Sequence, residues 1–294
     1  MTTCQVQPFD GSLDQARGVL SIEETTFGEC PYSPEQIACL FGQPAQHALV
    51  ALIGDRVVGF AATFETDTIA SRNLEVDLLA VHSSAQSRGI GQRLLIEARN
   101  LAVSLGGRKA RGLVATPNEA SRKAFIKAGY IPTGNVRLMV HDRLEPSAPP
   151  LDDGQAGVAL LSQADELRQL GLTGECTDSA TREILAGLRP RQHQVWVTRE
   201  NGAYMGFCET LWVDTLLYTG IWIESLHARR ADRRIISRLV AQVLCEGQSA
   251  GLDRIGILVD QAISAHIPTL RQLGFQEIGE YQWHEFRSHP QPEG

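Results

Sequence analysis

The sequence has 294 residues, of which 43% are hydrophobic and 21% charged, and its formal net charge is −7. This length and composition are those of a globular protein with room for two domains. The acidic balance argues against a nucleic-acid partner, because neutralising phosphates requires a basic patch. No apolar run approaches the roughly 20 residues of a membrane span, and the N-terminus lacks the basic and apolar stretches of a signal peptide. We therefore expect a cytoplasmic protein that binds neither nucleic acid nor a membrane.

The first half of the chain predicts a helical region, a hairpin, a longer strand and then two helices separated by a short strand. Two apolar strands flank Gly54-Asp55, which is a tight-turn signal, and the longer strand covers residues 74–82. The helix that follows places its apolar residues on one face: Ile90, Leu94, Leu95, Ala98, Leu101, Ala102 and Leu105. The second helix ends at Gly129, where a glycine is the expected left-handed stop.

The same order of elements recurs after a linker. Residues 142–157 interrupt the pattern with three prolines and alternating acids, and beyond them a hairpin at Asn201-Gly202 begins the second series. His82 and Gly129 are 47 positions apart, and so are His227 and Gly274. This repeated spacing predicts a duplication, with domains at residues 1–145 and 155–294 and a linker at 146–154.

The turn between the long strand and the helix, residues 82–91, carries the candidate binding chemistry of the first half. Gly89 and Gly91 let a ligand approach the backbone closely, and the first turn of a helix offers unpaired N–H groups and a positive dipole end. Arg88 and Arg93 add charge-assisted donors on either side, so the segment suits a diphosphate. The dinucleotide fingerprint G-x-G-x-x-G/A is incomplete here, because a leucine occupies its third glycine position.

This segment resembles the GNAT superfamily of N-acetyltransferases. The superfamily motif Q/R-x-x-G-x-G/A is met by Gln86, Gly89 and Gly91, and its second motif by Asn118 near the start of the later helix and by Gly129-Tyr130 at its end. The resemblance implies an α/β (α+β) fold of two tandem GNAT-like domains, each a mixed, mostly antiparallel sheet flanked by helices. It also implies an acyl-CoA-dependent enzyme that moves an acetyl group from acetyl-CoA to a primary amine by direct attack in a ternary complex.

The resemblance assigns cofactor contacts residue by residue. The backbone of Leu79, Ala80 and Val81 would pair with the pantetheine arm as an added strand does. Asn118 and Ser121 would face the cofactor near the thioester. The pyrophosphate would lie on the loop and the first helical turn, which comprise Gln86, Ser87, Arg88, Gly89, Ile90, Gly91, Gln92 and Arg93.

Two carboxylates on the long strand are candidates for the general base that must deprotonate an ammonium substrate. Strand alternation places Glu75, Asp77 and Leu79 on one face, and the resemblance favours Glu75 as the base, with Asp77 as the nearby alternative. The other interpretation is that both acids are solvated residues on a sheet face. Phe125 stands where many superfamily members have the tyrosine that protonates the departing thiolate, so the general acid stays open.

The second half keeps the element order but loses the glycines. Aligning His82 with His227 places Arg234 and Ile236 where the first half has Gly89 and Gly91, and bulky side chains there would obstruct a phosphate. We therefore expect a degenerate GNAT-like domain without a cofactor of its own. Its four tryptophans suit either core packing or the lining of a substrate pocket.

We expect a small-molecule amine or a peptide as acceptor, acetyl-CoA as co-substrate, and a monomer or homodimer. The six cysteines and eight histidines show no metal-ligand spacing, so we expect no metal. A protein that binds CoA as a regulatory or interaction module, without turnover, is the alternative function.

Overall fold

The computed structural model describes residues 4–106, 108–142, 157–161, 193–252 and 254–287. The predicted linker at 146–154 and the predicted opening helical region of the second half lie outside the described residues. In the first half the elements are β1 (Cys4–Pro8), α1 (Leu13–Phe27), α2 (Pro34–Phe41), β2 (Gln46–Ile53), β3 (Arg56–Asp67), β4 (Arg72–Val81), α3 (Ile90–Ser104), β5 (Lys109–Ala115), α4 (Glu119–Lys127) and β6 (Ile131–Asp142).

The elements of the second half follow the same order as those of the first. Its described elements are β7 (Val158–Leu160), β8 (His193–Glu200), β9 (Ala203–Asp214), β10 (Thr219–Ala228), α5 (Arg233–Ser249), β11 (Arg254–Val259), α6 (Ile267–Gln272) and β12 (Gln276–Phe286). Both hairpins and both long helices stand where the sequence pattern predicts them. Gly129 and Gly274 both adopt positive φ just beyond the ends of α4 and α6, which confirms them as helix stops.

The twelve strands of the described residues join one sheet in the order β1-β2-β3-β4-β5-β12-β6-β11-β10-β9-β8-β7. Most neighbours are antiparallel, while β4 pairs with β5 and β10 with β11 in parallel. The mixed, mostly antiparallel fold class is therefore confirmed, and the sheets of the two halves are continuous with each other.

The two halves exchange their last strands. β12 lies between β5 and β6 and pairs with both, and β6 in turn pairs with β11 of the second half. The sequence repeat thus marks two series of elements, whereas the sheet that supports them is shared.

Each long helix packs on its own half of the sheet. The apolar face of α3 buries Leu94, Leu95, Ala98 and Ala102 against β2–β5, and α5 packs in the same way on β8–β11. Burying one such leucine stabilises a fold by about 1.5–3 kcal/mol, so these faces anchor the helices on which the turn chemistry depends.

The β9–β10 end of the second half packs against the first half. Leu216 is buried in the core cluster that α1 and α2 form with β2–β4. The amide of Ile69, in the β3–β4 turn, donates to Glu209 Oε1 at 2.7 Å, and the same carboxylate lies 2.6 Å from His193 Nε2. These contacts close the sheet around a cleft between the halves.

None of the helices in the described ranges combines the length and apolar character that crossing a bilayer requires.

Candidate active site

β4 and β5 separate part-way along their length, and the site begins at that point. Asn73–Val76 of β4 pair in parallel with Lys109–Gly112 of β5. Beyond Gly112, β5 pairs only with β12 among the described strands. The side of β4 that faces away from β3 therefore has no strand partner over residues 77–81. Such a free edge offers backbone N–H and C=O groups to an extended ligand.

A β-bulge at Asp77 lies at the point of separation. Val76 pairs with Thr63 and Leu78 with Ala62, so Asp77 is the extra residue of β4. The expectation that Leu79 shares a face with the two acids is wrong: Leu79 packs against the α3 core cluster, whereas Glu75 and Asp77 line the cleft on the other side. The extra residue changes the alternation that the sequence reading assumed.

The turn after β4 leaves the start of α3 open. Gly89 is the N-cap residue with φ +75, and no side chain caps the helix there. The first helical hydrogen bond runs from the Arg93 amide to the Gly89 carbonyl at 3.0 Å. The amides of Ile90, Gly91 and Gln92 therefore have no intrahelical acceptor, and the positive end of the helix dipole points the same way.

In this turn and the first turn of α3, two glutamine side chains hold the structure together and two arginine side chains are exposed. Gln86 Nε2 donates to the Val81 carbonyl at 3.0 Å and ties the loop to the end of β4. Gln92 Nε2 donates to the Lys127 carbonyl at 3.0 Å, so that side chain joins α3 to the end of α4. Arg88 and Arg93 are exposed, as are Ser87 and Gly89. Arg88 Nη2 donates to the Ser84 carbonyl at 3.1 Å, but this hydrogen bond lies at the surface, so both arginines can turn toward an anion at the helix start without breaking a buried contact.

Asn118 and Ser121 lie at the start of α4. Asn118 Oδ1 accepts a hydrogen bond from the Ser121 amide at 3.1 Å, which makes Asn118 the N-cap of that helix. The carboxamide oxygen is therefore committed to the helix. What Asn118 has left to offer a cofactor is its amide nitrogen.

The first predicted base, Glu75, is held in a buried ion pair. Arg111 Nε donates to both oxygens of Glu75 at 2.8 and 2.9 Å, and the Thr66 hydroxyl donates to Oε1 at 2.5 Å. Arg111 also donates to Glu224 Oε1 of the second half at 2.8 Å. Burial alone would lower the pKa of Arg111, but the carboxylates of Glu224 and Glu75 raise it. The guanidinium of Arg111 therefore stays charged and is ion-paired with both Glu75 and Glu224.

Asp77, in contrast, keeps a free oxygen. Its Oδ2 is buried and has no hydrogen-bond partner among the described residues. Burial is the main cause that raises the pKa of Asp77 from 3.8 to about 6; a hydrogen bond from Thr215 lowers it and the nearby Glu75 carboxylate raises it. An acid with such a pKa is mostly ionised at neutral pH and is still basic enough to accept a proton.

A cleft of about 350 Å³ lies in front of the bulge, between the two halves. The first half contributes Glu75, Asp77 and Arg111, and the second half contributes Glu224 and aromatic side chains, among them Tyr218, Trp222 and Trp283. The guanidinium of Arg111 lies 4.6 Å from the centre of the Trp283 ring. The remaining walls are mostly aliphatic, so the cleft combines one free carboxylate with an apolar interior.

Sequence analysis missed Arg111, Glu224 and Thr215 as members of the site. A charged residue in each of the apolar strands KARGLVA and GIWIESLH was the available signal for the first two. Thr215 gave no such signal, because it lies in the β9–β10 turn and reaches Asp77 only through the fold. Two of the four tryptophans, Trp222 and Trp283, line the cleft, which is one of the two uses that the sequence left open.

Phe125 is buried where the superfamily tyrosine would stand. A Cβ placed on Gly112 would lie 2.5 Å from the Phe125 ring, and the ring also packs edge-on against Tyr130 at 5.0 Å. The phenylalanine therefore supports the β5–α4 packing and offers no proton.

Within the described ranges, His, Cys, Asp and Glu side chains do not gather into a group of three or more that could hold a metal ion.

The second half repeats this arrangement with a two-residue offset that the sequence alignment missed. Gly59 and Gly206 face the carbonyls of Ala80 and His227, and each also faces the isoleucine that opens the buried face of the next helix. His227 therefore corresponds to Ala80 and not to His82, and the connection to the helix is two residues shorter. Glu224, the extra residue of the β10 bulge, corresponds to Asp77.

The helix start of the second half is closed. The Asp232 side chain accepts from the Arg234 amide at 2.9 Å and caps α5, which begins two residues earlier than α3 relative to the shared isoleucine, Ile90 in one half and Ile235 in the other. β10 and β11 also separate, and a cleft of about 490 Å³ lies there. It lacks the open amides of the first half.

Part of this chain matches a known protein family, and its fold resembles that of several solved structures. Residues 17–130 match the model of the acetyltransferase (GNAT) family. A GCN5-related N-acetyltransferase from Sphaerobacter thermophilus has a similar structure, with a TM-score of 0.63 and 16% identity over 98% of this chain and 96% of that one. A tandem GNAT protein from the clavulanic acid biosynthesis pathway gives a TM-score of 0.60 and 15% identity over 98% of this chain and all of that one.

A third similar structure is larger than this protein. It contains a GCN5-related glucosamine N-acetyltransferase region in a fungal multi-domain β-N-acetylglucosaminidase, with a TM-score of 0.62 and 17% identity. The match covers 97% of this chain, which spans 38% of that protein's length. At such identities these likenesses establish the shared fold. Among curated proteins, none matches this chain.

Proposed function

We propose that the first half of this chain binds acetyl-CoA and transfers the acetyl group directly to a primary amine, because residues 17–130 match the model of the acetyltransferase (GNAT) family, whose members use acyl-CoA. The observation that carries the proposal is the open start of α3 beside the separated strands β4 and β5. An anion site and a free strand edge lie next to a carboxylate with an unpaired oxygen. The second half has a closed helix start instead.

The described residues fit the parts of coenzyme A. The amides of Ile90, Gly91 and Gln92 and the exposed Arg88 and Arg93 suit the diphosphate, since both groups favour anions. The edge of β4 at residues 79–81 suits the amides of the pantetheine arm. A thioester at the end of that arm would lie at the bulge, and it supplies the activated acetyl group.

Asp77 is the better supported of the two bases. Its free Oδ2 can accept the proton of an ammonium group, which leaves the neutral amine able to attack a carbonyl carbon. Glu75 would first have to release Arg111, and its proposed role becomes that of holding Arg111 in place. Since Phe125 offers no proton, the leaving thiolate would take one from water.

Measurement of thiol release tests the proposal. The purified chain is mixed with acetyl-CoA, with and without a panel of primary amines, and both the free thiol and the acetylated amine are measured. We expect thiol release only with an amine, and initial-rate plots that intersect when both substrates are varied, as in a ternary complex. Parallel lines, or a burst of thiol without an amine, would contradict direct transfer.

The alternative is a module that binds CoA without turnover. Phe125 in place of the tyrosine is the observation that favours it. Tight binding of acetyl-CoA without thiol release, across the whole amine panel, is the result expected of such a module.

A further inference from the structure

The cleft in front of Asp77 also constrains what the acceptor can be, if the proposed function holds. We infer that the acceptor is an arylalkylamine, which is a primary amine with one positive charge on an apolar body of aromatic size. The inference rests on three features of the cleft: its charge, its walls and its mouth.

The charge of the cleft favours a cation and disfavours a carboxylate. Arg111 is shared between Glu75 and Glu224, and Arg254, the other arginine in the lining, is paired with Asp142 at 2.6 Å. Asp77 adds a further negative charge with a free oxygen. A free amino acid would bring its carboxylate into this field, and the repulsion would oppose binding.

The walls favour an apolar body over a hydroxylated one. Leu113, Leu138, Val140 and Val213 line the cleft together with Trp222 and Trp283. The Tyr218 hydroxyl already donates to the Ile221 carbonyl at 2.6 Å. The sugar of an aminosugar would exchange several hydrogen bonds to water for the few that the lining offers, chiefly with the Tyr281 hydroxyl, which is costly. A polyamine would bring further cations, and Asp77 is the one carboxylate of the described lining that has no arginine partner.

The mouth of the cleft exposes large apolar side chains. Leu217 and Ile278 are 58% and 55% exposed, and both line the cleft. Apolar groups of this size at the rim of a pocket are covered when a ligand with an apolar body binds. A volume of about 350 Å³ admits an indole or phenyl ring with its ethylamine arm.

Paired substrates that differ by one group test the inference. With acetyl-CoA saturating, we expect kcat/KM for tryptamine to exceed that for tryptophan, which adds a carboxylate, by at least a hundredfold. Glucosamine and spermidine are expected to be comparably poor. Acetylation of either one in preference to tryptamine and phenethylamine would overturn the acceptor class while leaving the proposed function in place.

A mouth variant gives a second readout. Ile278→Asn changes an exposed side chain, so the fold should persist, and we expect KM for tryptamine to rise three- to tenfold with kcat and the KM for acetyl-CoA unchanged. Val103→Asn is the matched control, because Val103 is also an exposed apolar residue but lies on α3, away from the cleft lining. Equal effects of the two changes would contradict the inference. Absence of thiol release with every amine would instead overturn the proposed function itself, and the acceptor class with it.

Discussion

The two halves share a strand, a turn and a helix, and they differ in what meets the start of the helix. In the first half Gly89 opens α3 without a side-chain cap, whereas in the second half the Asp232 carboxylate already occupies that position on α5. A helix start can bind an external anion only while the chain supplies none of its own. This difference supports the proposal that a phosphate binds at the helix start of the first half and not at that of the second.

The acids at the two bulges differ in the same way. Glu224 is paired with Arg111, while Asp77 at the equivalent position retains a free oxygen. Arg111 comes from the first half, so one half neutralises the acid of the other. The proposed base is thus the bulge acid that no arginine reaches.

Separating the two halves should have the largest effect. Residues 1–145 expressed alone would lack β12, which leaves β5 and β6 without their common neighbour. We expect aggregated or unfolded protein by circular dichroism and gel filtration. Co-expression with residues 155–294 should restore a soluble complex, and a folded first half on its own would contradict the shared sheet.

The bulge acids give the next largest effect. Asp77→Asn should lower kcat/KM by about 100-fold or more, because it removes the proposed base, whereas Glu224→Gln should have a much smaller effect. For the unaltered protein, kcat/KM should rise as the pH increases through about 6, since deprotonation of Asp77 creates the base. That rise should be absent in Asp77→Asn. If it is absent in Glu75→Gln and present in Asp77→Asn, Glu75 is the base.

The helix starts give a smaller effect on cofactor binding. Gly89→Val places a β-branched residue at φ +75, distorts the turn and covers the open amides, and calorimetry should show CoA binding weakened by more than tenfold. Gly106→Val is a matched control, because Gly106 also has a positive φ and open surroundings but follows the other end of α3. Arg234→Ala should leave CoA binding unchanged. If Gly89→Val and Arg234→Ala weakened CoA binding to a similar extent, the assignment of the cofactor to the first half would be wrong.

The smallest effect concerns the cap of the second half. Asp232→Ala removes the acceptor for the Arg234 amide and should lower the free energy of unfolding by about 1 kcal/mol, measured by urea denaturation. The affinity for CoA should not change. A gain of CoA binding in this variant would mean that the closed helix start is all that excludes the cofactor there.

Local patterns were sufficient to predict the two hairpins, the long strands β4 and β10, the helices and short strands that follow them, and the turn after β4. They did not predict the strands β1, β6, β7 and β12. The apolar spacing of α3 and α5, the hairpin dipeptides and the glycines after β4 are all encoded within a few residues. Glu75 and Asp77 were also recognised, but their order of preference depends on Arg111, which lies 36 positions after Glu75. No local pattern encodes that contact.

Equal spacing in the sequence concealed an offset between the two halves. His82 and His227 are equally far from their helix-ending glycines, yet the structure aligns His227 with Ala80, because the turn of the second half is two residues shorter. The bulge at Asp77 and the exchange of β6 and β12 were likewise hidden, because register and strand order depend on partners distant in the chain. Such features follow from the sheet as a whole.

The strand exchange has a consequence for how the protein is made. β5 and β6 end at residues 115 and 142, but the strand that separates them emerges only after residue 276 has been synthesised. At typical elongation rates this delay is on the order of ten seconds, during which the nascent first half presents unpaired backbone at two strands. We expect the sheet of the first half to be completed only after the second half has been translated. Chaperones that shield strand edges should matter most in that interval.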